Sequence, residues 1–135
     1  MAESKSGALS VVQDWINALN RSDLNGVIAP FASDASFFGT STQTLITSSE
    51  GIREYFEVVF EEYVPLSVEL GRVTVSELSA NSAVLTGYDK WKITIDGKPA
   101  EAIGRLSIVV ARRDGQWRIM SFHRSAMPTV NQKSR

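Results

Sequence analysis

The sequence predicts an α+β fold in which helices are segregated on one face of an antiparallel sheet. Three observations carry this expectation. Before Pro65, apolar residues recur at three- and four-residue spacing; after it, β-branched runs alternate with turn residues. Asp96-Gly97 and Asp114-Gly115 separate the later runs, and Asp-Gly supplies the left-handed conformations that tight hairpins need. The 135 residues, 43% of them apolar, are enough for one core, because a domain of this size removes roughly two-thirds of its unfolded-chain surface from water.

Leu9, Val12, Ile16 and Leu19, with Trp15 beside them, place one apolar face on a helix over residues 7–21. Asp23 can cap a second, short helix whose buried side is Leu24, Val27, Ile28 and Phe31, until Pro30 and Ser33 end the pattern. Ala35, Phe37 and Phe38 suggest a brief strand that runs into a polar loop over residues 39–47. Thr47-Ser48-Ser49-Glu50 reads as a capping box. Behind it, Ile52, Tyr55, Phe56, Val59, Phe60 and Tyr63 keep a helical period, with Glu57, Glu61 and Glu62 on the outer side and Pro65 closing the element. Strands are predicted over residues 67–78, 83–95, 100–112 and 116–126 as an antiparallel meander. One domain is expected over residues 1–128, followed by a flexible polar tail over residues 129–135.

Composition removes several function classes. With no cysteine there is no thiol nucleophile and no Cys-based zinc site, and a single histidine leaves no His-pair metal site. Phosphate-binding GxGxxG and P-loop motifs, the GxSxG elbow and HExxH do not occur, so no metal and no cofactor are expected. Residues 1–67 hold three basic and nine acidic side chains, a balance of −6, whereas residues 68–135 hold eleven and six, a balance of +5. The basic residues are spread over four strands and the total is −1, which argues against a nucleic-acid partner. No apolar run is long enough to cross a membrane, and the start lacks the layout of a secretory signal; the sequence therefore reads as cytoplasmic, with no membrane partner.

The order helix, short helix, Asp-Ala-x-Phe strand, aromatic helix and long meander resembles the cone-shaped fold of the nuclear transport factor 2 superfamily. Arg112-Arg113-Asp114-Gly115-Gln116-Trp117, followed by Phe122-His123-Arg124-Ser125-Ala126-Met127-Pro128, closely resembles the end of the association (hub) domain of calcium/calmodulin-dependent protein kinase II. Phe37-Phe38-Gly39-Thr40 and the stretch over residues 50–56 resemble the SnoaL-like SgcJ/EcaC group of bacterial proteins. This resemblance implies three N-terminal helices packed on a curved, mainly antiparallel sheet, in a stand-alone hub-like domain. It also implies a homodimer or larger ring formed through the sheet face. The superfamily hosts enzymes, binding proteins and oligomerisation modules, so each site residue has to be argued separately.

His123 is of the residue type naturally poised for proton transfer at neutral pH; its structural alternative is a hydrogen bond to a backbone carbonyl or a place at a subunit contact. Arg124 matches the arginine of the hub-like motif, with Arg105 and Lys90 on the two preceding strands. A guanidinium in a dry cup can grip a carboxylate through two parallel hydrogen bonds. Strict strand alternation puts Trp117, Ile119, Ser121 and His123 on one face and Arg118, Met120, Phe122 and Arg124 on the other. His123 and Arg124 then cannot share a cavity unless a bulge intervenes.

Asp34 and Tyr55 are single parts of an isomerase-type site, an acid–base carboxylate and an oxyanion donor, while Asp89 and Glu101 stand as isolated acids in the sheet. Trp15, Trp91 and Trp117 with Phe37, Phe38, Phe56 and Phe60 are core aromatics that could also line a pocket. Apolar residues of both parities, such as Ile93, Ile103, Leu106 and Val109, leave some apolar surface outside the monomer core. Three functions are therefore expected: an oligomeric binding domain for a partly apolar carboxylate; an isomerase, cyclase or dehydratase using His123 or Asp34 as base and Tyr55 or Arg124 at an oxyanion; or an assembly module without an active pocket.

Overall fold

The computed structural model describes residues 2–128. Helices α1 (Ala2–Asn20) and α2 (Leu24–Ile28) lead into strand β1 (Phe31–Phe38) and helix α3 (Ser49–Glu62). Strands β2 (Ser67–Ser79), β3 (Ser82–Ile95), β4 (Lys98–Arg113) and β5 (Gln116–Ala126) then form the expected meander. The five strands make one open sheet in the order β1-β5-β4-β3-β2, with β1 added parallel to β5. The expected tail over residues 129–135 lies outside the described residues.

The turns behave as their residues dictate. Asp96 and Gly97 have φ of 52° and 77°, as do Asp114 and Gly115, the two consecutive positive values of a hairpin turn whose twist matches that of its strands. Asp23 caps α2 by accepting from Gly26 N at 3.0 Å. At α3 the cap is Ser48, accepting from Gly51 N at 3.0 Å, one residue later than a box starting at Thr47 would place it. Phe31 belongs to β1 and not to the second helix: Pro30 has no N–H to continue a helix, and its carbonyl accepts from Ile119 N at 2.8 Å, which opens the strand.

α1 starts five residues earlier than its periodicity suggests, and its buried stripe runs through Ala8, Val12, Trp15, Ile16 and Leu19, leaving Leu9 exposed. That stripe and the inner side of α3 (Ile52, Phe56) pack on Leu85, Ile108, Val110, Ile119 and Phe122 of the sheet. Asn20 ties the end of α1 to β2 with two hydrogen bonds to the Val68 backbone, at 2.7 and 2.9 Å. Among the described residues no helix is long and apolar enough to cross a membrane.

One irregularity decides which side chains face the helices. Val109 pairs with Ser121 but Val110 pairs with Ile119, so Met120 is an extra residue in β5. A bulge of this kind switches the facing of everything beyond it. Ile119, Phe122 and Arg124 consequently share the inner face, and Ser121 and His123 turn outward; strict alternation had grouped Ile119 with His123.

Candidate functional site

Between α1, α3, the loop after β1 and the inner face of β3 to β5 lies a cavity of about 210 Å³. Its walls are largely aromatic: Trp15, Phe37, Tyr55, Phe56, Trp91 and Phe122 all contribute. The Phe37 and Phe122 rings stack with centroids 4.8 Å apart and planes within 9°, and Tyr55 meets Phe37 edge-on at 5.1 Å. Thr40 and Ser41 of the loop complete the rim.

Arg124 is the charged residue on this wall, with only 11% of its side chain exposed. The fully buried carboxylate of Asp89 holds it, accepting from Nε at 2.9 and 3.0 Å and from Nη2 at 2.8 Å. Asp89 also accepts from the Trp91 indole at 3.0 Å and from Gly104 N at 3.1 Å, so a charge that would be costly alone is met on both oxygens. The guanidinium carbon sits 5.2 Å from the centre of the Trp91 ring, and Nη1 donates to Thr40 Oγ1 at 2.6 Å. Gly104, opposite Asp89 in the β3–β4 ladder, makes room: a Cβ there would lie 2.2 Å from Arg124 Nε.

Sequence reasoning placed Trp15, Trp91, Tyr55 and Arg124 among the site residues, and the fold brings these four to one cavity. It disperses the others. His123 is exposed on the outer face, where its ring lies 5.3 Å from that of Phe38, so neither of them reaches the cavity; the bulge at Met120 is the reason for His123. Asp34 is at the exposed sheet edge, paired with Arg113 at 2.7 Å. Arg105 points outward and donates to Ser125 Oγ at 3.1 Å, and Lys90 points outward toward Glu101 at 3.6 Å. Even-numbered β3 residues and odd-numbered β4 residues near the cavity face away from it, which is why both cations are lost to the site.

Asp89 was read as an isolated acid and is instead the anchor of the site. The signal was present, since residues 89 and 91 share a strand face and Trp91 was already a pocket candidate. Thr40 and Gly104 had no such signal. Among the described residues no group of three or more acidic or histidine side chains could hold a metal ion.

A model of the SnoaL-like domain matches residues 8–129. The chain belongs to the SnoaL-like family. The fold is the nuclear transport factor 2-like cone, and solved structures share it. A calcium/calmodulin-dependent protein kinase II association-domain-like protein from Xanthomonas campestris is similar at 29% identity and a TM-score of 0.83, over 91% of this chain and 87% of its own. An NTF2-like protein of unknown function from Pseudomonas putida is 21% identical with a TM-score of 0.80, covering 99% and 92%. A ketosteroid isomerase-like protein from Erwinia carotovora atroseptica is 18% identical with a TM-score of 0.81, covering 96% and 100%. No curated protein sequence matches this SnoaL-like chain.

Proposed function

We propose that this SnoaL-like domain binds a small, partly apolar carboxylate in its cone cavity and associates with a second copy through the outer sheet face. The observation that carries the first part is the hydrogen-bond inventory of Arg124. A guanidinium has five N–H donors; Asp89 takes one on Nε and one on Nη2, and Thr40 takes one on Nη1. Among the described residues the other N–H on each terminal nitrogen has no acceptor, and a carboxylate is the planar group suited to such a fork. The volume, equal to about seven waters' share of liquid, suits a compact ligand below drug size.

An acid–base enzyme has less support, because neither expected base, His123 or Asp34, lines the cavity, although Tyr55 and Arg124 do. For self-association, Tyr88 and Ile103 on the outer face are 43% and 46% exposed, and the Xanthomonas campestris neighbour is named for an association domain.

Titration calorimetry with benzoate and benzamide tests the binding part. Benzoate is expected to bind, benzamide to bind more weakly because its N–H groups face the arginine fork, and Arg124→Gln to weaken benzoate by about tenfold or more. Equal affinity in Arg124→Gln removes Arg124 from the site. Sedimentation at micromolar concentration should give at least twice 14.8 kDa; a clean monomer overturns the association part.

A further inference from the structure

We propose that the ligand of this cavity is a flat ring acid with a second hydrogen-bond acceptor at the end remote from its carboxylate, and that Trp15 is the specificity-determining donor for that acceptor. The inference rests on the carboxylate-site reading above and extends it to the opposite end of the ligand. Trp15 forms part of the cavity wall and is wholly buried, yet its indole Nε1–H meets no acceptor among the described residues. Leaving such a donor buried and unsatisfied is costly, because it has given up water for nothing. The other indole on the wall, that of Trp91, is satisfied by Asp89 at 3.0 Å, so the two tryptophans of one cavity are treated differently. Packing alone does not require the nitrogen: Trp15 meets Phe122 and Phe56 edge-on, at 5.1 and 6.2 Å, contacts that another aromatic ring would also make.

Position supplies the second half. Trp15 packs on Phe122, and Phe122 stands two residues before Arg124 on the same strand face, a step of about 7 Å. A six-membered ring with substituents at opposite ends spans such a step, and the largely aromatic walls give a flat apolar body surfaces to lie against. Arg124 and Thr40 then take the carboxylate, and Trp15 takes an ether or carbonyl oxygen at the far end.

The test compares 4-methoxybenzoate with 4-ethylbenzoate, in which a methylene replaces the ether oxygen, on the full chain and on its Trp15→Phe variant. Calorimetry should show the affinity ratio of methoxy to ethyl acid falling by about three- to tenfold in Trp15→Phe, the worth of one net hydrogen bond, with each acid compared against plain benzoate in the same protein. A ratio equal in the two proteins overturns the inference and leaves the carboxylate site standing. Failure of all three acids to bind overturns both. If Trp15→Phe does not fold, the indole N–H resonances of the unaltered protein decide: one should shift with the methoxy acid and stay in place with the ethyl acid, and identical responses to both overturn the inference.

Discussion

Two arginine–aspartate pairs hold this sheet, and they differ mainly in where they stand. Arg124–Asp89 lies on the inner face with 11% and 0% of its side chains exposed; Arg113–Asp34 lies at the outer end of β4 with 49% and 62% exposed. Both are two-pronged, and their shortest contacts are 2.8 and 2.7 Å. Equal geometry does not mean equal worth. In the interior each charge has given up water and depends on its partner, whereas at the surface water and salt compete with every contact. The inner pair therefore has further partners, Trp91, Gly104 and Thr40, and borders a cavity where a third group can join it.

The largest expected effect comes from removing one member of the inner pair. Asp89→Ala leaves a nearly buried guanidinium without its counter-charge, and an orphaned buried charge costs about 3–5 kcal/mol. Urea unfolding at pH 7 should show that loss, while Lys90→Ala, which gives up an ion pair with the exposed Glu101 across 3.6 Å, should stay within about 0.5 kcal/mol. Comparable losses in the two variants would abolish the distinction between the faces. Benzoate should stabilise Asp89→Ala less than it stabilises the unaltered protein, because Asp89 aims the fork.

The inner face was legible only as far as alternation holds. The turns at Asp96-Gly97 and Asp114-Gly115 set the meander, because positive φ at two consecutive residues is a local demand that local chemistry announces. The apolar stripes of α1 and α3 were equally local. Met120 was not: nothing in Ile119-Met120-Ser121 marks an extra residue, since a bulge is defined by the partner strand's register. Arg124 was found through its motif, but which of Arg124 and His123 faces the cavity depended on that bulge. Asp89 was misread because a buried acid looks like an exposed one until its partner, 35 residues away, is brought to it.

A smaller effect is expected at Gly104. Adding a methyl group there places a carbon 2.2 to 2.4 Å from the Arg124 guanidinium, and since the arginine is held by Asp89 and lies over Trp91, it cannot step aside without giving up one of them. Gly104→Ala should cost about 1–3 kcal/mol, the usual range for overpacking, and weaken benzoate together with stability. Unchanged binding in Gly104→Ala would mean that the fork tolerates displacement, and the inner pair would then resemble the outer one more than its burial suggests.

The outer pair should show itself in pH dependence more than in total stability. The hydrogen bond from Arg113, reinforced by its charge, holds the Asp34 carboxyl below the ordinary carboxylate range, and Arg113 is correspondingly pushed up by Asp34. A carboxylate whose pKa is lower in the folded than in the unfolded chain adds stability that is present above the unfolded value, about pH 4, and is lost as pH falls through the folded value. Asp34→Asn removes that contribution at all pH values; because the pair is exposed the loss at pH 7 should be small, and below about pH 4 the two proteins should converge, the variant falling less steeply. Urea unfolding at intervals from pH 7 to pH 3 reads both slopes. Identical acid slopes would mean that water has already taken the place of Arg113, and that the exposed pair contributes nothing the sheet edge needs. A steep difference would place the two arginine–aspartate pairs in one class despite their exposure.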